Sequence, residues 1–266
     1  MTFPAPATAN SSLPTIAFIG GGNMASAIIG GLIHQGHPAS QIEVVEPWAE
    51  AREALRKNYG IEAQAEAGPA LQRAQIVVWA VKPQTFRDAA AQAKAHTQGA
   101  LHLSVAAGIR SDSIAQWLGT ERIVRTMPNT PALVGKGMSA LYARPAVSAP
   151  ERQSIEAIMA TTGEFLWVDS EPQLDAVTAL SGSGPAYVFY FLEAMTRAGT
   201  DMGLTAAQAH QLAVGTFVGA SELARRSDET PAVLRQRVTS KGGTTYAALQ
   251  SMEHDAVAEK FMQAMQ

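Results

Sequence analysis

The stretch TIAFIGGGNMASAIIGGL (Thr15–Leu32) decides how the rest of the chain is read. A short apolar run, Thr15–Gly20, meets three consecutive glycines and passes into a helical pattern, Asn23–Gln35. The spacing is Gly20-x-Gly22-x-x-Ala25. Glycine at the first place permits a tight turn out of a strand. Glycine at the second lets a pyrophosphate approach the backbone where free N–H groups and the helix dipole favour an anion, and alanine at the third keeps the helix close to the strand. Set between a first strand and its helix, the pattern predicts dinucleotide binding.

The same region raises a membrane question, because residues 1–42 hold no Asp, Glu, Lys or Arg. A signal peptide wants a basic start, and a spanning helix wants about 20 apolar residues. Here there is no basic residue, and Gly20, Gly21, Gly22, Gly30 and Gly31 break the run. The reading is a buried strand, a glycine turn and a buried helix. Residues 1–14, MTFPAPATANSSLP, are expected to form a flexible leader. The uncharged run Ala176–Leu192 is short and carries Gly182, Gly184 and Pro185, so it too is read as no span.

Downstream, short apolar runs alternate with helical patterns. Strands are predicted at Thr15–Gly20, Ile42–Glu46, Ile76–Val81, Leu101–Ala106, Ile123–Met127, Gly137–Ala143 and Glu164–Val168, with helices at Asn23–Gln35, Trp48–Asn58, Gln84–His96, Ser111–Leu118 and Ala149–Thr162. Such alternation predicts an α/β domain with a doubly wound, mainly parallel sheet over residues 15–169. After Asp169 the strand signals stop, and 170–266 read as an all-helical domain: Pro185–Met202, Thr205–Arg226, Pro231–Val238, Thr244–Met252 and Asp255–Met265. Within it AYVFYFLEAM (Ala186–Met195) is apolar almost all round, which predicts burial against a second subunit.

The end of the second predicted strand reads VVEPW. Glu46 stands where an acid hydrogen-bonds the adenosine ribose and repels a 2′-phosphate, which favours NADH, with Arg52 or Arg56 as the cations that could meet a phosphate instead. Hydrophobic residues are 47% and charged residues 16% of the chain, and the net charge is −3. These values fit a soluble globular protein and give no basic footprint for nucleic acid. There is no cysteine, so disulfides and thiolate metal sites are excluded. His34, His37, His96, His102, His210 and His254 show no ligand-like pairing, and no metal is expected.

Taken in order, IGGGNMASAIIGGL (19–32), AVKPQ (80–84), SVAAG (104–108), VRTMPNTP (124–131), ALSGSGPAY (179–187) and VTSKGGTT (238–245) resemble pyrroline-5-carboxylate reductase over about residues 15–261. The resemblance implies an N-terminal Rossmann-like domain, a helical dimerisation and substrate-binding domain, and reduction of L-Δ1-pyrroline-5-carboxylate to L-proline with NADPH or NADH in the cytoplasm. It implies that Gly20, Gly22, Asn23, Met24, Glu46, Ala80, Lys82, Pro83, Ala106, Ala107 and Asn129 bind the cofactor. It implies that Gly242, Gly243, Thr244, Thr245 and Ser181 bind the substrate. The backbone amides of Gly243, Thr244 and Thr245 would hold its carboxylate, and the Thr245 hydroxyl, the catalytic candidate, would lie near the ring nitrogen. Successive amides at a helix start do form an anion-binding concavity. The plainer alternative is a helix N-cap by Thr244, as Ser183 would cap the long helix and Pro83 would start one. The resemblance also implies a homodimer that can assemble into larger oligomers.

Three features depart from the family pattern: Lys241 where proline is usual, Glu46 against NADPH, and an end at Gln266 that is expected to bear on contacts between dimers. Related imine or 3-hydroxyacid reductases want a lysine or aspartate on the helix after the hinge, and Gly182–Leu192 offers neither. A non-catalytic dinucleotide-binding regulator would not need VTSKGGTT.

Overall fold

The computed structural model describes residues 13–266, so the expected leader lies outside the described residues except for Leu13 and Pro14. Seven strands form one sheet: β1 (Ile16–Ile19), β2 (Ile42–Val45), β3 (Ile76–Trp79), β4 (Leu101–Ser104), β5 (Ile123–Met127), β6 (Gly137–Ala143) and β7 (Gly163–Trp167). The order is β2-β1-β3-β4-β5-β6-β7. All neighbours are parallel except β5 and β6. The connection from Met127 to Gly137 is shorter than the dozen or so residues a parallel crossover requires, so the chain turns back. The order reverses between β1 and β3, and that switch point opens the crevice at the carboxyl ends of the strands.

Helices α1 (Asn23–His34), α2 (Ala49–Tyr59), α3 (Phe86–Ala93), α4 (Ser111–Leu118) and α5 (Ala149–Met159) cover both faces. Alternate strand residues feed two cores, as the pleat dictates. Ile16, Phe18, Val44 and Val78 pack with Ile28 and Ile29 of α1, Leu55 of α2 and Ile155 of α5. Ala17, Ile19, Val77 and Trp79 pack with Phe86 of α3 and Ile114 of α4. Coverage of both faces is why the central strands read as unbroken apolar runs.

The helix expected at Gln84–His96 is three pieces, with 3₁₀ turns at Pro83–Thr85 and Lys94–His96 flanking α3. The Thr85 N–H and hydroxyl both donate to the Lys82 carbonyl, which tightens the first turn. A short α6 (Gln173–Val177) and a π-helical turn, Thr178–Gly182, fill a stretch given no element from sequence. The chain divides into two compact units, the first ending at Gly182 and the second spanning Ser183–Gln266, so α6 and its turn go with the sheet.

The second unit holds α7 (Gly184–Asp201), α8 (Ala206–Arg226), α9 (Pro231–Arg237), α10 (Thr244–His254) and α11 (Val257–Met265). A capping box between Thr205 and Gln208 starts α8. At Gly199 a side chain would come within 2.8 Å of Ala209 Cβ, which shows how closely α7 and α8 pack. Phe261 meets the edges of Tyr187 and Phe191, with ring centres 5.6 and 5.7 Å apart. Among the described residues of this unit, just Gly199, Ala209 and Ala213 are buried. Phe189, Tyr190, Leu212, Val218 and Leu223 are exposed.

Candidate active site

At Gly20 the backbone has φ +99°, and a Cβ there would lie 2.5 Å from the Ala80 carbonyl oxygen. No other residue fits, both for conformation and for the approach of β3. The Gly20 N–H donates to the Val45 carbonyl and the Ala80 N–H to the Ile19 carbonyl, each at 2.8 Å, so the turn is fastened to both neighbouring strands. Gly22 is the N-cap of α1 and has open space where a side chain would be. No side chain caps the helix, and its first turn has no acid. Asn23 and Met24 form that first turn, with Asn23 exposed. The result is a cradle of backbone amides at the positive end of a helix, which fits a pyrophosphate.

Glu46 is buried, and its carboxylate joins two loops. Oε2 accepts the Gly21 N–H at 2.7 Å and Oε1 accepts the Trp48 N–H at 2.9 Å. Neither arginine near it stands free. Arg52 Nη1 donates to the Glu46 and Pro47 carbonyls at 2.9 and 2.7 Å, and Arg56 pairs with Glu53.

Ala80, Lys82 and Pro83 follow β3 at the same edge, with Lys82 exposed and Pro83 opening the 3₁₀ turn as expected. After β4, the Ala106 N–H donates to Ser104 Oγ, and Ala107 is half-buried. After β5, Asn129 Oδ1 accepts the Met138 N–H at 2.9 Å, while Nδ2 reaches the Ser181 carbonyl and hydroxyl at 3.2 and 3.3 Å. Asn129 and Ser181, expected to face cofactor and substrate respectively, are thus bonded to each other. Ser183 heads α7 but makes no side-chain cap.

In the helical unit, Gly242 has φ +76°, and Gly243 is the N-cap of α10. Thr244 is therefore the first helical residue and not the cap. The Gly243 N–H, expected to face the carboxylate, donates to the Ser240 carbonyl at 3.0 Å. The first intrahelical bond runs from Ala247 to the Gly243 carbonyl. The amides open to an anion are therefore those of Thr244, Thr245 and Tyr246, one residue further on than expected.

Sequence reading passed over one cluster. Arg125 in β5 and Glu171 before α6 form an ion pair at 2.7 Å, and Ser111 donates both its N–H and its hydroxyl to the same carboxylate. Burial pushes the Glu171 carboxyl up, but Arg125 and the Ser111 hydrogen bonds outweigh it and hold it below the usual range. Arg125 lies inside the VRTMPNTP motif on a buried strand, and a buried charge needs a partner. That partner lies too far along the chain to be read. Among the described residues, no group of three or more His, Asp or Glu side chains could hold a metal, and no helix is long and apolar enough to cross a membrane.

A Rossmann-like sheet with an open glycine cradle, joined to a helical unit that leaves its apolar faces uncovered, defines a dinucleotide-dependent oxidoreductase. Residues 171–266 match the family described as pyrroline-5-carboxylate reductase dimerisation, and residues 15–108 match NADP oxidoreductase, coenzyme F420-dependent. The pyrroline-5-carboxylate reductase of Pseudomonas aeruginosa is 44% identical over 256 residues, covering 96% of this chain and 94% of that one. A pyrroline-5-carboxylate reductase structure from Coxiella burnetii superposes with TM-score 0.87 at 36% identity, covering 95% and 94%. That from Plasmodium falciparum, with NADP bound, gives 0.85 at 27% identity, covering 95% and 94%. The chain belongs to the pyrroline-5-carboxylate reductase family, NAD(P)H-dependent oxidoreductases that make proline from pyrroline-5-carboxylate.

Proposed function

We propose that this chain reduces L-Δ1-pyrroline-5-carboxylate to L-proline in the cytoplasm. NADH or NADPH supplies the hydride, which goes to the imine carbon as nitrogen carries a proton. One observation supports this reading most directly. The same chain carries a glycine cradle on its sheet and a glycine-capped helix start with unclaimed amides, which suit a pyrophosphate and a carboxylate.

The division of labour follows the sheet unit, which runs through Gly182, and the helical unit, Ser183–Gln266. Gly20, Gly22, Asn23 and Met24 seat the pyrophosphate, and Glu46 addresses the adenosine ribose. Ala80, Lys82, Pro83, Ala106, Ala107 and Asn129 line the remainder of the cofactor. The Thr244 and Thr245 amides hold the substrate carboxylate after the Gly242–Gly243 turn, with the Thr245 hydroxyl toward the ring nitrogen and Ser181 fixed by Asn129. A protonated imine is already electrophilic, so the protein's work is to position two reactants about 3–3.5 Å apart and exclude water. This accounts for a substrate loop built of glycines and threonines. The active unit is a homodimer, able to assemble further, with no nucleic acid partner.

Proline-dependent reduction of NAD+ and NADP+ at high pH is the direct assay, and its absence would overturn the reading. Thr245→Ala should lower kcat/KM for the substrate by the equivalent of about 1.5–3 kcal/mol, the worth of a hydrogen bond to a charged group, with dinucleotide affinity unchanged.

A further inference from the structure

We propose that the indole of Trp48 is a stacking platform for the adenine base of the cofactor, a contact indifferent to a phosphate on the adjoining ribose. The inference rests on the dinucleotide reading above. In sheets of this order, the acid ending the second strand addresses the adenosine ribose, which places the base over the carboxyl end of β2. Trp48 stands two residues past that acid, and its N–H is held on Glu46 Oε1 at 2.9 Å. Arg52 pins the intervening segment through the Glu46 and Pro47 carbonyls. The backbone that carries the indole is therefore fixed before any ligand arrives.

The side chain itself is 70% exposed. It is the one exposed aromatic among the described residues of the sheet unit; Trp79 is sealed in the core, and Trp117 and Trp167 are partly covered. Among the described residues, no ring or guanidinium stacks on Trp48, whereas Trp79 stacks on Phe86 and Arg152 lies over Trp167. Single exposed apolar residues are ordinary on protein surfaces. A tryptophan whose backbone is clamped to the acid that ends β2, with its indole largely exposed and no ring or guanidinium stacked on it among the described residues, is suited to a flat partner. Every purine offers one, and stacking on an aromatic side chain is blind to what the sugar carries. Glu46 then acts on the 2′ position while Trp48 holds the base of either cofactor equally.

The test uses the intact enzyme and ADP-ribose, which has the adenosine half of the cofactor but no nicotinamide absorbance to confuse tryptophan emission. Saturating ADP-ribose should shield the accessible tryptophan fluorescence of the unaltered protein from acrylamide. By calorimetry, Trp48→Ala should weaken ADP-ribose roughly tenfold, and should weaken NADH and NADPH by that same factor, while Trp48→Phe stays within about threefold of the parent. Unchanged acrylamide accessibility, or an alanine variant that binds ADP-ribose as the parent does, would overturn the platform and leave the dinucleotide reading intact. Failure of the unaltered enzyme to bind ADP-ribose at all would overturn both.

Discussion

In the sheet unit, Phe18, Ile28, Trp79 and Leu103 are sealed from water between two layers of helices, whereas in the helical unit side chains of the same kind, Phe189, Tyr190, Leu212 and Val218, stay exposed on α7 and α8. Both units have regular elements, and a capping box starts a helix in each, at Ser148 of α5 and Thr205 of α8, so local propensity does not separate them. What separates them is where the apolar surface goes. The sheet has helices of its own for each face, while the helical unit has uncovered faces that a second copy would cover. A dimer formed through those faces would supply the core that the helical unit lacks and would tie that unit's stability to subunit concentration.

The sharpest way to break this comparison is to place charges on the uncovered faces. Phe189→Asp combined with Leu212→Asp should yield a monomer in sedimentation with no measurable reductase activity, since each unpaired charge costs several kcal/mol to bury. Its sheet unit should still bind ADP-ribose. A dimer with full activity would mean those faces are ordinary surface.

The next test falls inside the sheet unit. Arg125 and Glu171 have side chains 6% and 11% exposed. Glu171→Gln leaves a buried guanidinium without its counter-charge, and unfolding of the sheet unit should become easier by about 3 kcal/mol, read from urea melts, with dimer content unchanged.

Acid should act on the same unit with a comparable but graded effect. Burial lowers His102 to about 4, helped by the Arg122 charge and opposed by a hydrogen bond to the Thr97 backbone. Between that value and the ordinary 6.5, the unfolded chain binds a proton that the folded chain refuses. Stability is therefore full above pH 6.5 and is lost as pH falls toward 4, by about 3 kcal/mol in all. Trp79 donates its indole N–H to His102 Nδ1 at 3.0 Å, so Trp79 emission should report the loss. In His102→Gln the acid-linked slope should flatten.

The smallest expected effect concerns cofactor choice. Glu46→Ser removes a negative charge near the 2′ position and should shift the ratio of kcat/KM toward NADPH severalfold, as about 1 kcal/mol would. Because that carboxylate also holds Gly21 and Trp48, both cofactors should bind less well than before. A ratio that does not move would confine Glu46 to this structural role.

How much of this was legible in the sequence depends on the range of the interaction. The strand cores from β1 to β7 and the main helices of both units follow from local periodicity, and they fall within a few residues of expectation. The reversal at β6 was implicit in the short 128–136 connection. The glycine cradle was readable because Gly20 and Gly22 announce a backbone need. The rest depended on three-dimensional neighbours. That Glu46 spends both oxygens on the backbone, that the Gly243 amide is taken by Ser240, and that Glu171 meets Arg125 and Ser111 are partnerships no spacing rule encodes.

The fastening of the glycine turn, with Gly20 bonded to Val45, Ala80 to Ile19 and Gly21 to Glu46, has a kinetic consequence. A loop that is already ordered gives up little conformational entropy when its ligand arrives. Cofactor capture should then proceed in a single phase with an encounter-limited rate, and the apo and bound forms of this turn should superimpose. Any slow step in turnover would have to arise elsewhere.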